Sequence, residues 1–142
     1  VITITNKSEY PTREVKKLVR KALGYADITD GLSVVVTHFQ KKTGFGNERT
    51  WMGGWYNPRR REIVAKIVKP GWKPNAYHPY QRKPQVAPTF ELRDWREQLV
   101  ALVAHEANHH RQRSRPRGNR YVEVECDLAA FRAVQYLRED ER

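Results

Sequence analysis

One cysteine, Cys126, stands in the 142 residues. An internal disulfide is therefore excluded, a reducing compartment fits best, and a zinc site built on several thiolates is ruled out. No apolar run approaches the ~20 residues of a membrane span, so no membrane partner is expected. The opening VITITNKSEY lacks the basic, apolar and small-residue succession of a secretion signal. A cytoplasmic or otherwise intracellular protein is expected. Histidine is scarce, with five in the chain and none after His110. Acidic charge is outweighed, 16 Asp and Glu against 27 Lys and Arg, for a net charge of +11. Such a field favours polyanions, so nucleic acid is a candidate partner beside the plainer reading of a soluble basic surface. The cations cluster in NPRRREIVAKIVKPGWKPNAYHPYQRKP and HRQRSRPRGNR, while the chain from Tyr121 onward is acidic on balance.

What remains supports one domain, 1–142, lean in apolar residues at 39% but sufficient for a core. Val1 to Thr5 reads as a short strand. YPTREVKKLVRKALGY reads as an amphipathic helix, with Val15, Leu18, Val19, Ala22 and Leu23 at helical spacing and Gly24 as its cap. LSVVVTHF predicts a strand buried on nearly both faces, QKKTGFGNER a hairpin connection, and TWMGGWY and REIVAKIV two further strands. From Pro70 to Pro88 five of the eight prolines mix with aromatics and cations, which predicts an extended surface loop. Thr89 is placed to cap a helix FELRDWREQLVALVAHEANHHRQR, and after the break SRPRGN a last helix runs through RYVEVECDLAAFRAVQYLRED. The fold class expected is α+β.

The chemistry concentrates in HEANHH, residues 105–110. Residues four apart on a helix share a face, so His105 and His109 can hold one metal ion between them. Glu106 lies about 100° round the helix, where its carboxylate can serve as a base toward a metal-bound water. Two unrelated surface histidines would need neither a matched glutamate nor the apolar run of Trp95, Leu99, Leu102 and Val103 that precedes them. One zinc ion is the expected cofactor. With no later histidine, the expected third ligand is a carboxylate: Glu123, Glu125 or Asp127. Residues equidistant from a helical turn come level, which sets Glu123 against the His109 turn. Glu123 and Asp127 share a stripe with Ala130, Val134 and Leu137, whereas Glu125 shares one with Ala129, Arg132, Tyr136 and Glu139. A carboxylate on an apolar stripe is costly unless bound or paired, so Glu123 is the expected ligand and Glu125 the alternative. Asp127 is placed either to accept the N–H of a ligand imidazole or to pair with an arginine.

HEANH followed by EVECD resembles the gluzincin zinc metallopeptidases, which pair HExxH with a downstream ExxxD. The short chain and link are similar to its compact members, the minigluzincins and the peptidases of phage-repressor-cleaving and radiation-response type. The resemblance covers roughly Thr50 to Val134, with the upstream GGWYNPRRREIVAKIV similar to the strand pair of those families. A metzincin would need glycine and histidine where Gln112 and Arg115 stand, and SprT-like proteases use a third histidine that has no counterpart here. The resemblance implies a zincin-like domain: a small mixed sheet packed on an N-terminal and an active-site helix, then a C-terminal helix bearing the third ligand. It implies a zinc endopeptidase that acts on a protein or peptide, with Glu106 as general base. It also implies a substrate lying antiparallel along an edge strand, here Trp51 to Tyr56, with Gly53, Gly54 and Trp55 at its centre. The two glycines would admit a close backbone or else form a bulge. A second donor to the oxyanion would come from Tyr121, His110, His78 or Tyr77.

Two features stay open at this level. Trp72, Tyr77 and Tyr80, interleaved with Lys69, Lys73, Arg82 and Lys83, read either as a base-stacking loop or as a flap whose aromatics cover the active site. Cys126 reads as a small buried residue. The rival function is a basic protein whose zinc is structural and whose loops grip nucleic acid. A protease recruited to nucleic acid would combine the two.

Overall fold

The structure, a computed structural model, describes the chain apart from residues 30, 39–52, 80–86, 114 and 116–118, and describes residues 119–122 without their side chains. The expected hairpin at 40–49, Trp51, Tyr80, Arg82, Lys83, the Tyr121 side chain and most of the arginine-rich link lie outside it. The fold is α+β, with elements in the order β1 (Ile2–Asn6), α1 (Thr12–Tyr25), β2 (Leu32–His38), β3 (Gly54–Asn57), β4 (Glu62–Ile67), α2 (Trp95–Gln112) and α3 (Asn119–Asp140). Among the described residues four strands form one mixed sheet in the order β1-β2-β4-β3. β1, β2 and β4 run parallel, and β3 pairs antiparallel with β4 at the edge.

Alternation fixes which face the sheet buries. The row Ile4, Val34, Ile63 and Tyr56 runs in register across the four strands, and Val34 and Ile63 in it are fully buried. The next row, Thr5, Val35, Val64 and Trp55, is only half-buried or exposed. β2 is thus buried on one face, not on both as its β-branched run predicts, because the helices cover one side. His38 ends β2 as a clamp: its Nε2 accepts the Glu9 N–H at 2.9 Å, which leaves Nδ1 to donate to the Ile67 carbonyl at 3.0 Å.

α1 buries the five apolar residues that its spacing selects, the valines and leucines each contributing about 1.5–3 kcal/mol by leaving water. Its end is not Gly24, which stays helical. Asp27 takes the left-handed turn at φ 59°, donating to the Gly24 carbonyl while Ile28 donates to that of Leu23. α2 also starts later than Thr89. The Asp94 side chain accepts the N–H groups of Arg96 and Glu97 at 3.0 and 3.2 Å, and Glu97 Oε1 accepts the Arg93 N–H at 2.8 Å. These reciprocal bonds fix the first turn at Trp95 and leave Phe90 extended.

α2 is walled on both sides. One core joins it to the sheet and α1 through residues such as Leu99, Leu102 and Val103. A smaller core joins Ala101 to Tyr77, Phe90, Leu92, Ala130 and Val134, bringing in α3 and the segment before α2. Phe90 reaches that core through a two-residue antiparallel bridge to Tyr77. Among the described residues no helix is long and apolar enough to cross a membrane.

Candidate metal centre

The second half of α2 carries His105, Glu106 and His109 toward α3. The two imidazoles lie one turn apart, with ring centroids separated by 5.2 Å. From α3, one Glu123 oxygen sits 2.9 Å from His109 Nε2 and the other 3.4 Å from His105 Nε2. Among the candidate carboxylates the hairpin thus brings Glu123 to the histidines. Glu125 is held elsewhere, accepting from Gln112 Nε2 at 2.6 Å and from Arg115. Asp127 is buried one turn further along, its Oδ1 3.2 Å from His105 Nδ1. The same oxygen accepts the Tyr77 hydroxyl at 2.6 Å, and that hydroxyl oxygen is 2.8 Å from His105 Nδ1. Asp127 therefore meets an imidazole, as the first of its two readings expects, and a phenol besides.

The electrostatics favour positive charge between these groups. Burial opposes a charge on His105, yet Asp127 and Glu123 together push its pKa up to about 10. Bonds to His105 and His109 hold the Glu123 carboxyl well below the usual carboxylate range, against the opposing effect of its partial burial. Glu106 is only 5% exposed, and burial drives its pKa up, although His105 and His109 pull the other way. No hydrogen bond to its carboxylate is found among the described residues.

The donor set fits zinc. Metal–ligand bonds of ~2.0–2.1 Å in a tetrahedron separate donors by about 3.3 Å, and each Glu123 oxygen stands near that distance from a different histidine, Oε1 2.9 Å from His109 Nε2 and Oε2 3.4 Å from His105 Nε2. Cys126 is the competing donor, because its Sγ and one ring nitrogen from each histidine lie within 4.8 Å of one another. Its Sγ, however, sits between Asn108 Nδ2 at 3.6 Å and Gln112 Oε1 at 3.7 Å, and burial pushes the thiol pKa up. A neutral thiol held by two amides is a poorer donor than a carboxylate already against both rings.

The remaining candidates separate clearly. Tyr77 is fully buried behind His105 and gives its proton to Asp127, so it is not an oxyanion donor; nor does it stack on the surface, its ring lying instead against Phe90 at 4.8 Å between centroids. His110 is buried rather than a surface neighbour of Glu106, and its Nδ1 is 2.7 Å from the hydroxyl of Tyr56 on β3. His78 is exposed. Gly53 is buried, and its carbonyl accepts the Lys66 N–H. A side chain at Gly54 would place Cβ 2.7 Å from the Val64 carbonyl oxygen, so the close pairing of β3 with β4 demands that glycine. Trp55 is half-exposed on the open face, with Lys66 Nζ 4.8 Å from its ring. Sequence reasoning missed the roles of Tyr77 and Tyr56, because each reaches its histidine across 28 or 54 positions of chain with no local pattern to mark it. No known protein family, curated protein or solved structure matches the chain.

Proposed function

We propose that this chain is a zinc-dependent endopeptidase whose metal would be held by His105, His109 and Glu123. The observation that carries the reading is the Glu123 carboxylate, one oxygen against each imidazole Nε2, with Glu106 beside them on α2. Bound zinc would supply a Lewis acid that polarises the scissile carbonyl and acidifies the attacking water. Glu106 takes the proton that the water loses and returns it to the leaving amine; its raised pKa suits a group that must both accept and donate. Among the described residues β3 is the outer strand of the sheet order, and a peptide pairing with it would run past the Tyr56–His110 contact toward the metal centre. That contact ties the docking strand to the catalytic helix. The Glu106→Gln variant should retain zinc and fold while peptide hydrolysis falls by about 10²–10⁴, the contribution of a general base. Undiminished cleavage by that variant would refute the assignment.

A second reading, nucleic-acid binding, is favoured by the outer face of α1. Arg13, Lys16, Lys17, Arg20 and Lys21 share that helix with a single acid, Glu14, which is itself paired with Arg96 at 2.8 Å. The apolar face of α1 is consumed by the core, so it is not free to lie in a membrane surface, whereas Arg13, Lys17 and Arg20 are exposed to phosphates and Lys21 is paired with Asp140 at 3.8 Å. Affinity for duplex DNA and RNA at two salt concentrations, for wild type and a variant with Arg13, Lys17 and Arg20 changed to Glu, tests it. Absence of binding at low salt would remove it. A protease carried to nucleic acid by α1, which packs chiefly on α2, unites both readings.

A further inference from the structure

Tyr77 belongs to no helix or strand, yet it is among the most deeply buried large side chains. Its backbone N–H donates to the Phe90 carbonyl at 2.7 Å and its carbonyl accepts the Phe90 N–H at 3.1 Å. Six residues separate Phe90 from the capped start of α2 at Trp95, counting both, so the bridge holds the phenol at a fixed place relative to that helix. The hydroxyl arrives behind His105, on the side away from Glu123.

Hydrogen-bond polarity at this point is determined by elimination. A carboxylate can only accept, so the single hydroxyl proton of Tyr77 goes to Asp127 Oδ1 at 2.6 Å. Toward His105 Nδ1, 2.8 Å away, the phenol oxygen can then only accept. Nδ1 must carry a hydrogen in either protonation state of the ring, so when the ring gives up its other proton the lone pair falls on Nε2, the atom that faces Glu123. Asp127 Oδ1 is 3.2 Å from the same Nδ1, longer than the phenol contact and at the outer limit of an N–H bond. The hydroxyl is the nearer acceptor.

Resting on the zinc reading above, we propose that Tyr77 is the positioning residue for His105: it fixes the tautomer and ring plane required for metal binding, and Asp127 acts on the imidazole chiefly through it. Outer partners of a ligand histidine commonly govern affinity by about 10–100-fold. The conventional expectation from the carboxylate alone would put that whole effect on Asp127. The Tyr77 geometry shares it between two residues 50 positions apart in the chain.

The test compares wild type with Tyr77→Phe, which keeps the ring on Phe90 and removes only the hydroxyl. Zinc affinity is measured by competition with a chelator, and the His105 ring nitrogens are followed by NMR in the metal-free protein. The expected results are a roughly tenfold or greater loss of zinc affinity, a shifted or faster-exchanging Nδ1–H signal, and little change in the melting temperature without metal. Asp127→Asn combined with Tyr77→Phe should weaken zinc binding by less than the product of the two single losses. Equal zinc affinity in wild type and Tyr77→Phe would overturn the proposal, as would a wild-type Nδ1–H signal with no Overhauser contact to the Tyr77 ring, a measurement that does not depend on the variant folding. If wild type binds no zinc but its Nδ1–H signal still depends on Tyr77, the positioning role stands and the metal reading falls.

Discussion

The α2–α3 pair carries buried acid groups at both of its ends, and the two ends are solved differently. At one end Glu97, 5% exposed on its side chain, is gripped by Arg138 through two bonds of 2.9 Å and by the Arg93 N–H at 2.8 Å. Arg138 donates further to the Glu91 carbonyl. The chain supplies its own cation, with planar geometry matched to the carboxylate. At the other end Glu123 and Asp127 meet imidazoles, Glu106 stands close by, and the three acids converge on two histidines. Complete internal matching marks a structural ion pair. Convergence of acceptors on imidazole nitrogens is the arrangement on which the proposed metal site rests.

The comparison can be broken most severely at Glu123. Glu123→Ala should lower zinc affinity by more than about 100-fold, beyond the range of an outer partner, while Glu125→Ala keeps it, because Glu125 is bound to Gln112 and Arg115 instead. Chelator competition reads both, and equal affinity for Glu123→Ala and wild type would end the zinc reading. Next in size is the opposite end. Arg138→Ala strands Glu97 beneath the helix and should cost about 2–4 kcal/mol of stability, at the lower side because Arg138 is 21% exposed. Chemical denaturation measures it, and zinc affinity of the folded variant should not move. If it moved tenfold, the two ends would be coupled and the contrast would fail.

The smallest effect is a pH dependence. Burial raises the pKa of Glu97, but Arg138 and the Arg93 N–H outweigh it and hold the group below the ordinary value of a glutamate carboxyl. A carboxyl depressed in the folded state stabilises above its unfolded pKa, and that contribution is lost as pH falls through the folded value. Wild type should therefore lose melting temperature more steeply than Glu97→Gln below about pH 4.5. Parallel acid limbs for the two proteins would show that Arg138 does not hold the carboxylate as the geometry indicates.

Much of this could be read from the residues in order. The spacing of Val15, Leu18, Val19, Ala22 and Leu23 defines the buried face of α1, and the stripe shared by Glu123 with Ala130, Val134 and Leu137 separates it from Glu125. Both are periodic signals within one element. The start of α2 is ambiguous in the sequence because Thr89 and Asp94 are both good caps; the reciprocal bonds of Asp94 and Glu97 set it at Trp95, and the Tyr77–Phe90 bridge agrees by keeping residue 90 extended. The burial of one face of β2 depends on where the helices dock, which its own β-branched run does not encode. Tyr77 and Tyr56 were legible as aromatics but not as partners of His105 and His110, since tertiary packing alone closes those distances.

The double walling of α2 has a consequence for variation. Eleven consecutive residues, Glu97 to Ala107, are buried, so the helix has no outward face on which substitutions can accumulate harmlessly. Small residues occupy both sides, with Ala101 in one core and Ala104 and Ala107 in the other, and enlarging any of them would overpack a wall at about 1–3 kcal/mol. In a saturation mutagenesis scan scored for folding, this helix should appear as a nearly continuous block of intolerance, set between an α1 and an α3 that each accept change along one side. The residues proposed for chemistry would be hidden within that block, and only a second scan scored for metal binding would lift His105, Glu106 and His109 out of it.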